Sequence, residues 1–465
     1  MKHYFFIGIG GSGMSGLAQI SRAEGNVVSG SDRNFDRHRD QELFRCLRAQ
    51  QITIYPQDGT GITPPIDEVI ISNAIEHDNP DVKKARALSL PVIARSEFLA
   101  RIFNASQGIG IAGSSGKSTI TAMAAKIMDD AQFDPTVING AIIPEYKSAD
   151  RLGNVKKGSS PYMLIETDES DGSLVSFYPE ISILANISKD HKPIPELKPI
   201  FLRFLENTRS AMIVNADCPY SQELIAHLLP EKVITFGFNQ TSYLRAEKAA
   251  LSACNSTFTV HDTVFSLPIP GKHNIANALA AIALGTTLKI PLALMTRALE
   301  GFRGVERRLE LVGNVAGILV FDDFAHNPAK IAAAVETLKQ RGSRLILIFQ
   351  PHGFGPTKLL QRELIETFNA GLTSKDILIV LDIYYAGGTA DQSISSADLV
   401  RGVSVPQAEN IKDREKVITR VSEMSRPGDV IVVMGARDNT LSELARNLVT
   451  QLKRKKCSSQ RKETI

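Results

Sequence analysis

The possible folds are limited most by a regular alternation of short apolar runs with helix-length amphipathic stretches along nearly the whole chain. Each apolar run lies beside a segment with helical spacing, which is the pattern of strands that are buried on both faces of a sheet. The runs that we predict to be strands are residues 3–9, 68–72, 108–112, 163–166, 181–186, 211–215, 319–322, 344–349, 376–381 and 429–434. The sequence therefore predicts an α/β fold with largely parallel sheets.

The length of the chain indicates more than one domain. It has 465 residues, and a domain averages about 150 residues, so about three domains are expected. Strand–turn–helix starts occur at residues 8–13, 113–119 and 321–330. We predict domains at residues 1–105, 106–302 and 303–453, followed by a basic tail at residues 454–465.

Composition argues against several classes of protein. The chain has 53 Lys plus Arg and 50 Asp plus Glu, a net charge of +3, which argues against a dedicated nucleic-acid binder. No apolar run approaches the roughly 18 residues that cross a bilayer, so we expect no membrane insertion. The cysteines are scattered and form neither a disulfide framework nor a paired metal motif. We therefore expect a reduced, cytoplasmic protein.

A glycine-rich turn directly follows the first predicted strand. Its G-x-G-x-x-G pattern lets the backbone approach a diphosphate at the start of the next helix. The residues of this turn are Gly8, Gly10, Gly11, Ser12, Gly13 and Met14. A second strand ends at Ser31 and Asp32, and the acid stands about 20 residues beyond the turn, which suits contact with a ribose or a base. Taken alone, the turn predicts a diphosphate ligand, so a nicotinamide-dependent oxidoreductase and a turn without any ligand both remain open.

A second glycine-rich turn lies between the strand at residues 108–112 and a helix that we predict at residues 121–129. It consists of Gly113, Ser114, Ser115, Gly116, Lys117, Ser118 and Thr119. Such a turn wraps phosphates with backbone N–H groups, while its lysine neutralises the outer phosphates and the next hydroxyl faces a magnesium ion. The full pattern needs glycine where Ile111 stands, so the turn is either a shortened phosphate loop or a chance match.

Acidic residues follow the predicted strand at residues 163–166. Glu166 ends that strand, where a magnesium ion on a bound nucleotide would meet a carboxylate. Glu169 and Asp171 lie further along, and we interpret them as part of a solvated acidic loop. His191 follows the next strand and either binds a second metal, orients a phosphate or is structural.

The order and spacing of the motifs resemble the Mur ligases, the ATP-dependent amide ligases of peptidoglycan precursor synthesis, over almost the entire chain. The motifs that carry the resemblance are residues 8–14, 29–32, 72–75, 78–80, 113–119, 166–171, 186 with 190–191, 271–278, 307–308, 322–328 and 350–352. The resemblance implies a Rossmann-like N-terminal domain that holds UDP-N-acetylmuramate and a central ATPase domain with a phosphate loop. It also implies a Rossmann-like C-terminal domain that closes over ATP and the amino acid.

The resemblance implies a role for each motif, residue by residue. Contacts with the UDP sugar are implied for Gly8, Gly10, Gly11, Ser12, Gly13, Met14, Ser31, Asp32, Ser72 and Asn73. Contacts with ATP are implied for Gly113, Ser114, Ser115, Gly116, Lys117, Ser118, Thr119, His273, Asn274, Asn277, Arg308, Asp323 and His326. Catalytic roles are implied for Lys117, Glu166 and His191, and Mg²⁺ ligation for Ser118, Glu166 and His191.

The chain departs from the family pattern near the amine substrate. Members that add L-alanine usually carry arginines where this chain has Gly353 and Pro356. If L-alanine is the substrate, another cation has to meet its carboxylate, and Lys358 is the candidate that we favour from the sequence. The acceptor is therefore L-alanine or the peptide that the recycling ligases of the family use. We expect a monomer or a homodimer, and a non-catalytic nucleotide-binding module remains an alternative.

Overall fold

The computed structural model describes residues 1–72, 75–169, 172–189, 193–252, 255–385 and 391–463. The chain divides into two compact units. The first contains Met1–Ala249, Thr257–Pro268 and Asn274–Val305, and the second contains Ala250–Ser256, Ile269–His273 and Glu306–Ile465. Asn73, Asp171 and His191 lie outside the described residues, so the roles expected of them stay predictions.

The first unit begins with a five-stranded parallel sheet. Its strands are β1 (His3–Ile7), β2 (Val27–Ser31), β3 (Thr53–Tyr55), β4 (Glu68–Ile71) and β5 (Val92–Ala94). They lie in the order β3-β2-β1-β4-β5, which is that of a doubly wound sheet. The helices of this region are α1 (Ser12–Ala23), α2 (Arg33–Asp36), α3 (Gln41–Ala49), α4 (Pro80–Ala87) and α5 (Arg95–Asn104).

Strand β1 shows why this sheet forms. Phe5 and Ile7 pack on one face of the sheet with Val82 of α4, whereas Phe6 packs on the other face with Leu17 of α1. Successive side chains of a strand point to opposite faces, so an unbroken apolar run becomes buried when helices cover both sides. The prediction of a doubly covered parallel sheet is confirmed here.

An eight-stranded sheet follows in the same unit. Its strands are β6 (Gln107–Ala112), β7 (Thr136–Ile138), β8 (Val155–Lys156), β9 (Tyr162–Glu166), β10 (Ile181–Leu184), β11 (Ala211–Asn215), β12 (Val233–Gly237) and β13 (Leu244–Arg245). The order is β13-β12-β11-β10-β6-β9-β7-β8, and only the pair of β7 with β8 is antiparallel. Strand β6 therefore lies inside the sheet, between β10 and β9.

Helices and a smaller sheet accompany these strands. The helices are α6 (Lys117–Asp130), α7 (Ile194–Glu206), α8 (Pro219–Ile225), α9 (Lys272–Thr287) and α10 (Leu292–Glu300), with 3₁₀ turns at Pro144–Tyr146, Ser173–Ser176 and Pro230–Lys232. The strands of the smaller sheet are β14 (Glu247–Leu251), β15 (Ser256–Val260) and β16 (Thr263–Leu267). Helix α6 begins earlier than the sequence predicts, because the last residues of the second glycine-rich turn already belong to it.

The second unit contains a six-stranded sheet. Its strands are β17 (Glu310–Val315), β18 (Ile318–Asp323), β19 (Arg344–Gln350), β20 (Ile377–Val380), β21 (Ala408–Asn410) and β22 (Asp429–Gly435). The order is β17-β18-β22-β19-β20-β21, and only the pair of β17 with β18 is antiparallel. The helices are α11 (Pro328–Lys339), α12 (Phe354–Leu359), α13 (Gln361–Gly371), α14 (Ser396–Gly402), α15 (Arg414–Met424) and α16 (Leu441–Glu463).

Strand β22 is the centre of the core in the second unit. Val430 and Val432 pack on one face of the sheet, and Ile431 and Val433 pack on the other. All ten strands predicted from the sequence are present, and the α/β fold class is confirmed. Among the described residues, no helix combines the length and the apolar character that crossing a membrane requires.

Candidate functional site

The second glycine-rich turn connects β6 to α6 at the carboxyl edge of the eight-stranded sheet, which is where open α/β sheets bind ligands. Gly116 has a φ of +86° and directly precedes the helix. It carries no side chain that could cap the helix, so the first N–H groups of α6 are suited to receive an anion. Local geometry thus agrees with the predicted phosphate loop.

Asn186, just beyond β10, holds the phosphate loop from the neighbouring strand. Its Oδ1 accepts from the N–H of Ser115 at 3.0 Å, and its Nδ2 donates to the carbonyl of Ser115 at 2.9 Å. The N–H of Ser114 donates to the Asn186 carbonyl at 3.1 Å. The hydroxyl of Ser114 also exchanges hydrogen bonds with the backbone of Ser188, each at 2.9 Å. These bonds fix the loop conformation before any ligand arrives.

The ammonium group of Lys117 is held by a buried carboxylate. Its Nζ lies 2.7 Å from Oε2 of Glu169 and 2.6 Å from the carbonyl oxygen of Gly113. Burial opposes the charged form of Lys117, but the carboxylates of Glu169 and Glu166 outweigh it and hold the pKa of the lysine above its usual value. Lys117 is therefore a cation whose charge is directed at the phosphate loop.

The interpretation of Glu169 as part of a solvated loop is wrong. Its side chain is only 3% exposed, because the chain beyond β9 brings it beneath Lys117. Asp168, the residue before it, is exposed. A buried partner could not be recognised from the sequence, since neighbouring acids there look alike.

Glu166 ends β9, as expected, and is partly buried. Its Oε2 accepts from the N–H of Gly140 at 2.9 Å, which leaves the other carboxylate oxygen for a further contact. Ser118 lies buried in the first turn of α6. A hydroxyl and a carboxylate are oxygen donors of the kind that Mg²⁺ prefers. Within the described residues, no group of three or more His, Cys, Asp or Glu side chains is arranged as a metal site.

Two asparagines of α9 lie close to the phosphate loop. Asn274 and Asn277 are both buried, and Nδ2 of Asn277 donates to Oδ1 of Asn274 at 3.3 Å. A Cβ atom added to Gly116 would lie 2.4 Å from Oδ1 of Asn277. The helix thus packs closely against the loop, and a side chain at position 116 would both displace the Asn277 amide and strain the backbone at its φ of +86°. His273 belongs to the second unit, and burial lowers its pKa to about 4, so its ring is neutral at physiological pH.

The first glycine-rich turn, between β1 and α1, is held by Asp32. Its Oδ2 accepts from the N–H of Gly10 at 2.8 Å, and its Oδ1 accepts from the N–H of Asn34 at 2.8 Å, where it caps α2. Burial raises the pKa of Asp32 above its usual value. The carboxylate therefore supports the turn from within the fold, and the contact with a sugar nucleotide stays a prediction.

The other residues expected at the UDP sugar divide between backbone and side-chain roles. The side chain of Met14 belongs to the hydrophobic core, so only its backbone can face a ligand. Ser31 is fully buried, and its hydroxyl donates to the carboxylate of Asp81. Ser72 lies beside Gly8, with its Cβ 3.8 Å from the position of an added Cβ. Glycines 8, 10, 11 and 13 and the backbone of Ser12 form the turn itself.

Arg95 was missed by sequence reasoning. This residue begins α5, and its Nη1 lies 3.0 Å from the position of a Cβ added to Gly13. A guanidinium group beside a predicted diphosphate turn is suited to neutralise an anion. The only signal for it in the sequence is a basic residue after a strand, which is too common to be informative.

The second unit holds three residues that the resemblance places at the nucleotide. Asp323 is buried, with its carboxylate oxygens accepting from the N–H groups of Leu309 at 2.6 Å and Ala325 at 2.7 Å, and burial raises its pKa to about 6. The guanidinium carbon of Arg308 lies 4.8 Å from the centre of the Phe324 ring.

His326 completes this group. It donates from Nδ1 to the carbonyl of Phe324 at 2.8 Å, and its ring centre lies 4.7 Å from that of His352. Both histidines are buried. The turns that carry these residues follow β18 and β19, so they share the carboxyl edge of the six-stranded sheet.

Lys358, which the sequence suggests as the cation for the amino-acid carboxylate, is paired within the protein. Its Nζ lies 2.8 Å from Oδ2 of Asp391 and 3.1 Å from the hydroxyl of Ser393. The lysine holds the pKa of the Asp391 carboxyl down at about 2. Gly353 has a φ of +148°, a conformation that a residue with a side chain rarely adopts. An arginine would therefore be strained at this position.

Together, the fold and these sites define a multidomain α/β protein with one turn suited to a diphosphate and a second turn built as a phosphate loop. Comparison with protein families agrees with this class. The chain matches models described as "Mur ligase family, catalytic domain" over residues 3–107, "Mur ligase middle domain" over residues 111–285 and "Mur ligase, glutamate ligase domain" over residues 307–437.

Individual proteins are similar over nearly the full length. The UDP-N-acetylmuramate–L-alanine ligase of Nitrosomonas eutropha is 35% identical, with 94% of each chain covered. The crystal structure of the UDP-N-acetylmuramate–alanine ligase of Thermotoga maritima has a TM-score of 0.78 at 26% identity, covering 97% of this chain and 99% of that one. A murein peptide ligase from Psychrobacter arcticus shares the fold, with a TM-score of 0.70 at 23% identity over 97% of this chain and 99% of that one. The chain belongs to the Mur ligase family.

Proposed function

We propose that the chain is an ATP-dependent, ADP-forming ligase that joins L-alanine to the carboxylate of UDP-N-acetylmuramate in peptidoglycan precursor synthesis. The observation that carries this proposal is the full-length similarity to ligases of that name, combined with the phosphate loop that presents Lys117. A nicotinamide-dependent oxidoreductase does not need such a loop, and the full-length similarity to ligases favours catalysis over ATP binding alone.

The reaction proceeds in two steps. The carboxylate of UDP-N-acetylmuramate attacks the γ-phosphorus of ATP, the bond to the β-phosphate oxygen breaks, and ADP leaves an acyl phosphate behind. The amine of L-alanine then attacks the acyl carbon, the bond to phosphate oxygen breaks, and the nitrogen loses a proton as the amide forms. Neither step needs covalent help from the protein, so the residues contribute positioning and electrostatic stabilisation.

The residues of the phosphate loop act on ATP. Backbone N–H groups of residues 113–119 bind the phosphates, and Lys117 neutralises charge on the transferred phosphoryl group. Mg²⁺, held by Ser118 and Glu166, would supply further positive charge at the phosphate oxygens, with His191 assigned to a second ion. Asn274, Asn277 and His273 contact adenine, and Arg308, Asp323 and His326 contact the nucleotide from the third domain.

The UDP sugar is assigned to the first domain, residues 1–105, with the central domain at 106–302 and the last at 303–453. The turn from Gly8 to Met14 binds the diphosphate, with Ser31, Asp32, Ser72 and Asn73 around it. We place the enzyme in the cytoplasm, where its nucleotide substrates are made. We expect it to be a monomer or a homodimer. Cys46 and Cys218 are free thiols, which supports a reducing compartment.

Release of inorganic phosphate by the purified chain tests this function. It should require ATP, Mg²⁺, UDP-N-acetylmuramate and L-alanine together, and the product should contain one new amide bond by mass spectrometry. A peptide that begins with L-alanine serves as the competing acceptor. Phosphate release with that peptide and none with L-alanine would instead identify a recycling ligase, and reduction of a nicotinamide without phosphate release would contradict the family assignment.

A further inference from the structure

Arg437 occupies a strained turn at the carboxyl edge of the six-stranded sheet. It follows β22, which lies between β18 and β19. The N–H of Asp438 donates to the carbonyl of Ala436 at 2.8 Å, so the three residues form a γ-turn, and Arg437 at its centre has a φ of +65°. A γ-turn with positive φ is rare and strained for any residue that has a Cβ atom. Glycine would relieve the strain, yet the chain has arginine.

The turn is anchored on both sides. Before it, Arg307 donates to the carbonyl oxygen of Gly435 at 2.7 Å. After it, Asp438 pairs with Arg414 at 2.5 Å and accepts from the N–H of Thr440 at 3.0 Å, just ahead of α16. These contacts impose the backbone conformation, and the side chain between them points outward from buried neighbours. The anchored backbone therefore holds the guanidinium group of Arg437 at a defined point on the surface.

The guanidinium of Arg437 has its charge available. The side chain is exposed, and within the part of the chain that the structure describes it has no hydrogen bond or ion pair. This distinguishes it from Lys358, whose ammonium is already paired with Asp391. Strained backbone positions concentrate at binding and active sites, so an unpaired arginine held on such a position is a candidate contact for a ligand.

Two neighbours indicate what kind of ligand this is. Nη1 of Arg437 lies 3.9 Å from the position of a Cβ added to Gly353, so the guanidinium covers the start of the turn after β19. Gln350 ends β19 opposite Gly435, and its buried Oε1 has no hydrogen-bond partner among the described residues. The guanidinium of Arg437 would bind an anionic group, and Oε1 of Gln350 would accept a hydrogen bond from an N–H group. A small molecule that carries both groups would fit the carboxyl ends of these neighbouring strands.

We propose that Arg437 binds the carboxylate of the free amino acid that this enzyme ligates, replacing the side chain that Gly353 lacks. The inference rests on the proposed function. In a free α-amino acid the carboxylate is bonded to the carbon that carries the amine, so one guanidinium can position the attacking nitrogen through it. In a peptide that begins with L-alanine, an amide replaces this carboxylate. Arg437 is therefore a specificity-determining residue that favours the amino acid over the peptide.

The test compares L-alanine with L-alaninamide as acceptors for the wild type and the Arg437→Gly variant. Glycine removes the guanidinium and relieves the positive φ, so the variant should fold at least as well as the wild type. We expect the KM for L-alanine to rise about 10- to 100-fold, the loss typical of a hydrogen bond to a charged group. The preference for L-alanine over L-alaninamide in kcat/KM should fall by the same factor, with the KM for ATP unchanged.

Two further variants control the experiment. Arg437→Lys keeps the charge without the planar fork and should restore part of the preference. Arg420→Ala removes an exposed arginine that, among the described residues, pairs with Glu409 alone, and it should behave as the wild type.

Three results would overturn the inference. An unchanged preference in Arg437→Gly would show that the guanidinium does not meet the carboxylate. A raised KM for ATP with an equal loss for both acceptors would assign Arg437 to a nucleotide phosphate. A wild type that ligates the peptide but not L-alanine would overturn the proposed function as well, which separates it from the first two results.

Discussion

The ammonium of Lys117 lies 2.7 Å from the carboxylate of Glu169, and both side chains are largely withdrawn from solvent. The lysine of the phosphate loop is thus held in a charged, oriented state by a buried carboxylate. An incoming γ-phosphate competes with Glu169 for this cation or shares it. We therefore expect Glu169 to be a positioning residue, which acts on the reaction through Lys117.

Replacement of Lys117 by alanine should abolish ligation, with a loss of about 10³-fold or more in kcat, because the charge on the transferred phosphoryl group is no longer neutralised. It should also destabilise the protein by about 3 kcal/mol, since Glu169 would be left buried without its partner. Urea denaturation and phosphate release measure the two effects. The Lys117→Ala/Glu169→Gln double variant should regain stability but no activity, and near-normal turnover of either variant would refute the assignment of the loop.

The Glu169→Gln variant should change the pH dependence of the enzyme. The carboxylate raises the pKa of Lys117, so its loss lets burial lower that pKa, and the lysine then loses its proton at a lower pH than in the wild type. The alkaline limb of kcat/KM for ATP should therefore move to lower pH. Glu166→Gln serves as the comparison, because its loss should weaken Mg²⁺ dependence as well. An alkaline limb that stays in place would show that Glu169 has only a structural role.

Sequence patterns gave the phosphate loop because its signal is local, with a strand, a glycine-rich turn and a helix in direct succession. They did not reveal the groups that hold it. Asn186 contacts Ser115 from just beyond β10, and Glu169 contacts Lys117 from just beyond β9, so residue spacing along the chain does not indicate either contact. For the same reason, the sequence pattern favours a solvated position for Glu169, which the structure contradicts.

The pattern of apolar runs also does not predict the edge strands and the antiparallel strands. Strands β8 and β14 are short or polar, and β17 pairs antiparallel with β18, so none of them has the unbroken apolar run of a doubly covered strand. In the second unit, the relation of Arg437 to Gly353 depends on β19 and β22 being neighbours in space. This proximity follows from the pairing of the two strands, which cannot be read from the sequence.

Replacement of Gly10 by alanine should impair binding of the UDP sugar selectively. An added Cβ would lie 2.8 Å from Oδ2 of Asp32, which displaces the carboxylate that holds the turn. We expect the KM for UDP-N-acetylmuramate to rise roughly ten-fold or more, with the KM for ATP unchanged. Gly301→Ala is the matched control, because an added Cβ there has no neighbour closer than 3.5 Å. Equal effects on both substrates would contradict the assignment of this turn.

Asp323 should make the second unit less stable as pH rises. Burial raises its pKa to about 6, above the ordinary value of 3.8, so the folded state binds the proton more tightly than the unfolded state. Stability from this group is present at low pH and is lost as pH rises towards 6, by about 3 kcal/mol in all. The Asp323→Asn variant cannot titrate, so its stability relative to the wild type should increase between pH 4.5 and 7.5 in urea denaturation. A constant difference across that range would contradict the raised pKa.

The Arg437→Gly variant should be more stable than the wild type, although it loses affinity for L-alanine. A left-handed backbone costs a residue with a Cβ atom about 1–2 kcal/mol, and part of the gain from relieving it is offset by the greater freedom of glycine in the unfolded chain. A net gain of about 0.5–1 kcal/mol, seen as a Tm higher by about 1–3 °C, is expected in thermal denaturation. Gly353→Ala should have the opposite sign, because its φ of +148° suits only glycine. A lower Tm for Arg437→Gly would mean that the guanidinium stabilises the fold, and the strained turn would then need no ligand to explain it.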